Sequence, residues 1–494
     1  MKIAVIGSFL LAILHSILFY GEKFGISIFL FCIALGFLII YIMQKNDKIK
    51  NKKALILTIP ILLISATYFI FNNSFFYVAN IVALIILFTI MVVLLVFEKI
   101  SISQTIWKFL FLILGPVEFL EEAVGSIVET ISGVFKKKKV SEEKNEKIKK
   151  IVLGILIAIP ILCVVLGLLT SADSIFGDQV KNVISTIFSA DIFNSATYVN
   201  LFFRIIIIIV MSIYLIAIFY NMLHGDFCVD DEVKKDKKPI DRTIGNTILT
   251  ILNLVYIVFC YIQISVLFMK TGNMENFDYA SYARQGFFQL MAVSLINLVI
   301  ILITSRRGEE SKKLNYTKIM NLCLAVFTLI ILFSSFYRMY LYEQEYGYTF
   351  LRLMVYFVLI TEVMLIIPTV MYILDMKINL PKTYFIIIII MYIVVNYINI
   401  DNLIAKKNID RYFEDTSGTY EIDIYYLQTL GVDAALQIKR LEDIDKLKVE
   451  DLEIRDDVSD YLSDVKEEVE DINFKNFNIN RFIVKQELKN YYEE

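Results

Sequence analysis

Residues 277–298 have the sequence FDYASYARQGFFQLMAVSLINL, a polar turn that runs without a break into an apolar segment. The apolar segment continues from Phe287 to Thr304 and contains no charged residue. A helix needs about 20 mainly apolar residues to cross the hydrocarbon of a bilayer. This stretch therefore predicts a transmembrane helix that begins just after a turn at Gly286.

The composition extends this conclusion to the whole chain. Mean hydropathy is +0.66 and 57% of the 494 residues are hydrophobic, whereas soluble globular proteins use apolar residues at about half of their positions. Charged residues make up only 20% and lie mostly between the apolar runs. The sequence therefore excludes a soluble globular protein and indicates an integral membrane protein.

Eleven apolar runs are long enough to cross a bilayer. They lie at 3–20, 24–43, 54–71, 77–97, 151–170, 201–223, 243–269, 287–304, 318–340, 348–373 and 383–398. Because backbone in hydrocarbon must satisfy its hydrogen bonds internally, the runs predict an all-α polytopic transmembrane helix bundle of about 11 spans. The first run is not followed by a small-x-small cleavage pattern, which favours a retained span over a signal peptide.

The basic residues predict the orientation of the bundle. With the N-terminus in the cytoplasm, the inner loops hold at least 25 lysines and arginines and the outer loops hold four. This bias obeys the positive-inside rule for membrane proteins. We therefore expect a cytoplasmic N-terminus and an extracytoplasmic C-terminus.

The runs and loops divide the chain into four regions. They are an N-terminal four-span membrane region at 1–97, a cytoplasmic insertion at 98–150, a seven-span membrane core at 151–398 and an acidic tail at 399–494. The tail has 24 acidic and 13 basic residues, together with scattered aromatic and aliphatic ones. This mixture is untypical of disorder throughout. We expect a small helical domain on the extracytoplasmic face.

The cytoplasmic insertion contains an amphipathic helix at 117–135. Apolar residues recur there at intervals of three and four, glutamates occupy the other face, and four lysines follow at 136–139. One interpretation is a membrane-surface helix with a polybasic anchor for anionic lipid. The other, which the acidic polar face favours, is a helix packed under the bundle or against a partner membrane protein.

Motifs of common enzymes and cofactor sites are absent from the sequence. It has no phosphate-binding loop, HExxH, CxxC or GxSxG pattern, and only two histidines. The five cysteines lack metal-ligand spacing, so we expect neither a metal nor another cofactor. These observations favour a protein that is not an enzyme, and they indicate no nucleic-acid partner.

One carboxylate, Glu362, lies near the middle of the run at 348–373. An ionisable group in this position is unfavourable unless it faces protein or water. Two interpretations are open: a site that couples to a proton or a cation, or a protonated carboxyl in a structural hydrogen bond between helices. Asparagine and glutamine residues in other spans are candidate neighbours, because such amides often bridge membrane helices.

A second cluster is predicted at the outer ends of the eighth, ninth and tenth runs. It comprises Arg284, Arg338, Glu343, Glu345 and Arg352, with several tyrosines around them. A single arginine at a membrane interface can extend to the headgroups, but three arginines with two glutamates indicate a network. We interpret the cluster either as a functional site on the outer face or as a salt-bridge network that braces three helices.

Several segments carry distinctive motifs. They are YARQGFF at 282–288, YRMYLYEQEYGYTFLRL at 337–353, NIDNLIAKKNIDRYF at 399–413, IDIYYLQTLGVDAAL at 422–436 and FKNFNINRF at 474–482. Together they resemble a bacterial family of polytopic membrane proteins that is classed as a domain of unknown function. The resemblance implies a multi-pass protein of the bacterial inner (cell) membrane with an outward helical tail, and it implies no catalytic residue.

Two classes of function are compatible with the sequence. The first is envelope sensing, an accessory role or small-solute handling through the outer arginine–glutamate site. Because no repeated halves with broken spans are evident, sensing or an accessory role is preferred over transport. The alternative is a transferase-type membrane enzyme that acts on a lipid-linked substrate, with Glu343 and Glu345 as its outer carboxylates. The expected partners are the lipid bilayer and a membrane protein bound to the 117–135 helix or to the C-terminal tail.

Overall fold

The computed structural model describes residues 1–97, 102–134, 196–224, 242–268, 286–305, 315–374, 376–415, 420–442 and 454–493. Within these ranges all regular secondary structure is helical. The prediction of an all-α polytopic transmembrane helix bundle is confirmed.

The described α-helices are numbered here in chain order. They are α1 (Lys2–Phe19), α2 (Ile26–Lys45), α3 (Thr58–Ile70), α4 (Ser74–Val96), α5 (Ile102–Leu114), α6 (Leu120–Val134), α7 (Ala196–His224), α8 (Arg242–Phe268), α9 (Phe287–Thr304), α10 (Tyr316–Tyr346), α11 (Phe350–Ile373), α12 (Leu380–Tyr397), α13 (Ile400–Glu414), α14 (Ile424–Gln428), α15 (Ala435–Ile438), α16 (Ile454–Glu470) and α17 (Ile479–Glu493). Short 3-10 helices lie at Lys52–Leu57, Gly115–Phe119, Val432–Ala434 and Lys439–Glu442.

Ten described helices are long and apolar enough to cross a membrane. They are α1 to α4 and α7 to α12, where the 3-10 helix at Lys52–Leu57 lengthens α3. Each coincides with one of the predicted runs, and the remaining predicted run at 151–170 lies outside the described residues. Large apolar side chains such as Leu10 and Phe37 are exposed on these helices, as expected for a surface that lipid covers.

The chain forms two compact units. The first comprises Met1–Ile70, Tyr77–Lys234 and Ile472–Ile479, and the second comprises Phe71–Phe76, Lys235–Asp471 and Asn480–Glu494. This division follows spatial compactness and does not test the predicted regions that end at residues 97, 150 and 398. Those regions stay a prediction.

In the first unit, α1 packs against α2 and α7, and α2 packs against α3. The buried face of α1 carries the small residues Ala4, Ser8 and Ala12, which let neighbouring helices approach closely. At one end of this face, Arg204 of α7 donates to the carbonyl oxygen of Ser16 at 3.3 Å. Close packing and a side-chain bond thus join two spans that are distant in sequence.

The predicted amphipathic helix of the insertion corresponds to α6. Its buried residues Ala123 and Val124 belong to one apolar cluster with Val5 of α1 and with Ile213 and Ile216 of α7. The described glutamates of its other face are exposed. The helix therefore packs against its own bundle, which is one of the two arrangements expected from its pattern, and the lysines at 136–139 lie outside the described residues.

Within the first unit, a segment late in the chain accepts hydrogen bonds from the backbone N–H groups at the start of α2. The backbone N–H groups of Ile26 and Ser27 donate to the carbonyl oxygens of Phe477 at 3.0 Å and Lys475 at 3.2 Å. The first N–H groups of a helix have no partner inside that helix. The segment at 472–479 therefore supplies the hydrogen bonds that the helix cannot make itself.

In the second unit, α10 is the central helix and packs against α8, α9 and α11. One apolar core joins these helices and contains the buried residues Leu249, Leu298, Leu324 and Leu359. The tail begins at α13, whose buried residues pack against α15 and the 3-10 helix at Val432–Ala434. The tail is helical, as its sequence pattern predicts.

Substitution of Gly25 by alanine tests the contact between α2 and the late segment. A Cβ at position 25 would lie 2.5 Å from the backbone carbonyl carbon of Asn476. Because backbone cannot move aside as a flexible side chain does, we expect Gly25→Ala to lower the free energy of unfolding by about 1–3 kcal/mol. The measurement is thermal unfolding in detergent micelles.

Gly36→Ala serves as the matched control in the same helix. There a Cβ would make only ordinary contact with Phe88, at 3.6 Å. We expect the control to be neutral or slightly stabilising, since alanine favours a helix interior over glycine. Equal unfolding temperatures for Gly25→Ala and Gly36→Ala would contradict the close approach at position 25.

Candidate functional site

The turn between α10 and α11, residues 343–349, holds several of the predicted outer-face residues. After the last residue of α10, Gly347 has a φ of 74°, a left-handed conformation that glycine adopts without strain. Its backbone N–H donates to the carbonyl oxygen of Glu343 at 2.8 Å. The glycine therefore ends α10 and allows the chain to reverse into α11.

Arg352, in the first turn of α11, closes the end of α10. Its Nη1 donates to the carbonyl oxygens of Tyr346 at 2.9 Å and Gly347 at 2.5 Å. Its guanidinium lies over the ring of Tyr342, 4.3 Å from the centroid. Because the last carbonyls of a helix lack partners and carry partial negative charge, a buried arginine at this position stabilises the helix end.

The tail helix α13 also binds this turn. The side-chain amide of Asn408 donates to the carbonyl oxygen of Tyr348, and its Oδ1 accepts from the backbone N–H of the same residue, both at 2.8 Å. Arg411 donates to the carbonyl oxygens of Glu343, at 3.2 Å, and Gln344. Two side chains of α13 thus hold the backbone of the turn in position and orientation.

Gly347 is required by this contact as well as by its backbone angle. A Cβ at position 347 would lie 2.7 Å from Oδ1 of Asn408 and 2.8 Å from the hydroxyl oxygen of Tyr420. Both distances are shorter than van der Waals contact, and closely packed interiors do not absorb such overlap without displacement. The tail and the turn therefore fit each other only with glycine at this position.

The two predicted glutamates have different surroundings. Glu343 is buried, whereas Glu345 is exposed. Burial, together with the hydrogen bond between its hydroxyl and Glu343, raises the pKa of Tyr348 to about 12. Tyr348 therefore keeps its proton at neutral pH and donates it in a hydrogen bond to Glu343. Of the two carboxylates, Glu345 is the one at the protein surface.

Arg338 lies on α10 where this helix meets α8 and the start of α9. It is buried, and its Nη2 donates to Oε1 of Gln263 at 3.1 Å. Gly286, which precedes α9 with a φ of 95°, comes so close that a Cβ there would lie 2.9 Å from Nη1 of Arg338. Arg284, predicted in the same cluster, lies outside the described residues.

The predicted cluster is therefore distributed over two places. Glu343, Glu345 and Arg352 lie on or next to the turn at 343–349, and Arg338 lies against the start of α9. Arg352 contacts carbonyl oxygens and aromatic rings, and Arg338 contacts the side-chain amide of Gln263. An outer-face functional site formed by this cluster stays a prediction.

Glu362 belongs to a buried polar layer of the second unit. Only 1% of its surface is exposed, and its Oε2 accepts a short hydrogen bond from the hydroxyl of Ser294 on α9. One turn further along α9, Asn297 accepts from the hydroxyl of Tyr256 at 2.8 Å and donates to Thr328 at 3.1 Å. Polar side chains of α8, α9, α10 and α11 therefore meet in the interior, as amides in membrane helices commonly do.

The tail contains a pair of buried carboxylates that sequence reasoning does not identify. Asp401 accepts a hydrogen bond from the side-chain amide of Asn73 at 2.8 Å. Asp433 accepts from the backbone N–H of Asn72 at 2.8 Å and from the side chain of Asn480 at 3.2 Å. Both carboxylates are 4% exposed. The tail is thus attached to the segment between α3 and α4 by carboxylate–amide hydrogen bonds.

Burial raises the pKa of both carboxyl groups. The pKa of Asp401 rises to about 7, because burial outweighs the hydrogen bond from Asn73 and because Asp433 is near. The pKa of Asp433 rises to about 6, since burial outweighs the hydrogen bonds from Asn72 and Asn480. Both groups therefore change charge close to neutral pH.

The chemistry that these sites offer is hydrogen bonding and proton binding. Within the described ranges, no group of three or more histidine, cysteine, aspartate or glutamate side chains is arranged to hold a metal ion. The buried carboxyls of Asp401, Asp433 and Glu362 have hydroxyl and amide groups as their described partners. Such surroundings favour a carboxyl that takes up and releases a proton over one that is permanently paired with a cation.

The raised pKa of Asp401 predicts a pH-dependent stability. Because the pKa of Asp401 is about 7 in the folded protein and 3.8 ordinarily, protonation of this carboxyl favours the folded state. Its contribution to stability is complete below pH 3.8 and is lost as the pH rises from there through about 7. Asp401→Asn keeps an oxygen that accepts from Asn73 but cannot ionise. As the pH rises from about 5 to about 8, we expect the unfolding temperature of the Asp401→Asn variant to fall less than that of the wild type.

Glu414→Gln, which changes an exposed carboxyl at the end of the same helix, is the control. It should keep the pH dependence of the wild type. The measurement is thermal unfolding of the detergent-solubilised protein across this pH range. If Asp401→Asn and the wild type lose the same stability, titration of Asp401 does not govern the attachment of the tail.

A known family model matches most of the chain. The family model described as "Domain of unknown function (DUF4153)" matches residues 58–441, a range that includes the turn at 343–349 and the three buried carboxyls. No curated protein and no solved structure gives a significant match. Because the family model covers well over half of its length, the chain belongs to the DUF4153 family.

Proposed function

We propose that this integral membrane protein acts in the cell envelope as a sensor or accessory protein whose C-terminal tail receives the signal. The observation that carries the proposal is the contact of tail helix α13 with the turn at 343–349. Asn408 and Arg411 make this contact through the backbone of the turn. A change in the tail therefore has a direct mechanical connection to the ends of α10 and α11.

The contact is strong enough to transmit such a change. A hydrogen bond to a charged group contributes about 1.5–3 kcal/mol, and Arg411 donates to two carbonyl oxygens of α10. The tail packs closely against Gly347, because a Cβ added there would lie 2.7 Å from Oδ1 of Asn408. A displacement of α13 must therefore break these bonds or move the turn.

The proposal assigns the tail to the extracytoplasmic face of a bacterial inner membrane, with the N-terminus in the cytoplasm. The excess of lysine and arginine in the predicted inner loops supports this orientation. The contacts of the second unit support it too, because the tail binds the turn at 343–349 and the segment Phe71–Phe76. The predicted topology assigns both of these connections to the outer face.

Small-solute handling is the second candidate function, favoured by Glu362. A buried carboxyl between spans is the kind of group that marks ion and proton pathways in membrane proteins. The transferase alternative is less well supported, because Glu343 is engaged by Tyr348 and only Glu345 is exposed. We therefore favour sensing or an accessory role.

Arg411→Ala tests the connection between the tail and the turn. Loss of the two hydrogen bonds to α10 should raise hydrogen–deuterium exchange at the backbone N–H groups of Gly347 and Tyr348. Since about 1.4 kcal/mol corresponds to a factor of ten, we expect at least about tenfold faster exchange, measured by mass spectrometry of peptides that cover 343–350.

Lys407→Ala is the matched control, because Lys407 is an exposed cation on the same helix. This variant should exchange at the wild-type rate. Unchanged exchange in Arg411→Ala would show that the tail does not stabilise the turn, and the proposed route for a signal would then be lost.

The function itself is tested in cells that lack the gene. The wild type, Arg411→Ala or Lys407→Ala is restored, and envelope-stress reporters are measured beside uptake of a panel of ions, sugars and amino acids. Sensing predicts that deletion and Arg411→Ala alter the reporters and that Lys407→Ala does not. Altered uptake with unchanged reporters would replace sensing by solute handling, and unchanged values of both would contradict both candidates.

A further inference from the structure

Polar side chains continue from the layer of Glu362 toward one end of the helices in the second unit. On α8 they are Asn246, Thr250, Asn253 and Tyr256, whose spacing of three and four positions places them on one face of the helix. They extend about 15 Å along the helix axis, at about 1.5 Å per residue. These four residues, with their partners on α9 and α10, are called the polar seam below.

Each α8 residue of the polar seam has a partner on a neighbouring helix. The pairs are Asn246 with Thr317 at 2.7 Å, Thr250 with Tyr316 at 2.7 Å, Asn253 with the carbonyl oxygen of Met320 at 3.0 Å, and Tyr256 with Asn297 at 2.8 Å. A further pair joins α9 and α10, where Thr304 donates to Asn321 at 2.8 Å. Hydrogen-bonding groups therefore follow one another at every turn of α8 between Asn246 and Tyr256.

Three buried polar atoms along this path have no protein partner among the described residues. They are Oδ1 of Asn253, Nδ2 of Asn321 and Oε1 of Glu362. The three side chains are at most 5% exposed. Buried polar atoms are almost always hydrogen-bonded, and internal water is the usual partner where protein offers none. The positions of these atoms therefore favour water molecules along the polar seam.

The end of the polar seam that is remote from Glu362 meets an open cavity. This cavity of about 430 Å³ lies at the start of α8, and its lining includes Asn246, Thr250 and Tyr316. Water in the cavity can contact the first two pairs of the seam. The polar seam thus leads from an open surface to a carboxyl group of which only 1% is exposed.

We propose that Glu362 reversibly binds a proton and that the polar seam carries this proton between Glu362 and the cavity at the start of α8. In the uptake step, a hydronium ion in the cavity gives up one proton. Each hydroxyl or water on the path accepts one proton and passes on another, and the carboxylate becomes a carboxylic acid. The hydroxyls of Thr250, Tyr256 and Ser294 suit this step because a hydroxyl both donates and accepts.

Among the described residues around Glu362, its own carboxyl is the group that can bind the proton. Ser294 of α9 is its hydrogen-bonding partner, Tyr256 of α8 lies one layer away on Asn297, and Tyr384 of α12 is bonded to Thr369 two turns along α11. No described residue places a charge against the carboxyl. The inference concerns a site remote from the tail contact, so it goes beyond the proposed sensing role and does not depend on it.

The test is infrared difference spectroscopy of the full-length protein in lipid nanodiscs between about pH 4 and about pH 10. A protonated carboxyl has a carbonyl band that a carboxylate lacks. We expect a band that disappears reversibly as the pH rises, shifts in deuterium oxide and is lost in Glu362→Gln. Glu121→Gln, which changes an exposed carboxyl on α6, should keep the band. If Glu362→Gln does not fold, Glu362→Asp retains a carboxyl and must shift the frequency.

The route is tested by the rate at which the Glu362 band exchanges its proton for deuterium. Asn253→Leu interrupts the polar seam, and we expect at least about tenfold slower exchange with an unchanged equilibrium amplitude. Thr361→Leu is the control, because its hydroxyl donates to the carbonyl oxygen of Phe357 in its own helix. A band that never titrates or never exchanges overturns proton binding at Glu362. Equal rates in Asn253→Leu and the wild type overturn the polar seam as the route.

Discussion

Hydrocarbon offers no hydrogen bonds, and the arrangement of polar groups in the second unit follows from this constraint. Its spans carry asparagine, glutamine, serine and glutamate side chains that a lipid-facing surface could not tolerate. They are buried against one another, as in the Asn297 contacts with Tyr256 and Thr328. The need to pair these groups fixes which faces of α8, α9 and α10 meet, whereas apolar side chains alone would leave several rotations nearly equal in energy.

The same constraint applies at the membrane edge, where helices end. The carbonyl oxygen of Tyr346, the last residue of α10, accepts from Arg352 of α11. Arg411 of the tail adds a second donor to the carbonyl oxygen of Glu343, which also accepts from Gly347. The tail thus supplies hydrogen bonds to the end of a membrane-spanning helix. The tail also binds the segment between α3 and α4. There its carboxylates Asp401 and Asp433 accept hydrogen bonds from the side-chain amide of Asn73 and the backbone N–H of Asn72.

The spans could be predicted from the sequence because apolar runs of sufficient length have few alternatives in a bilayer. Glu362 and Arg352 stood out for a related reason, since burying a charge is unfavourable and demands an explanation. The partners could not be predicted. Asn408 lies 60 positions from Tyr348 and Asp433 lies 361 positions from Asn72, and no local pattern encodes such pairings. Acidic and amide residues among apolar ones in the tail are the sole local sign of them.

The contact between α2 and residues 472–479 imposes an order on biogenesis. Lys475 is 453 positions away from Glu22, with which it forms an ion pair beside the start of α2. When the first two spans enter the membrane, the ribosome has not yet made the segment that completes them. The α1–α2 hairpin must therefore persist without these hydrogen bonds until residues 472–479 have been synthesised, held by lipid and water or by the insertion machinery. The final hydrogen bonds of this hairpin therefore depend on a segment that is synthesised about 450 residues later.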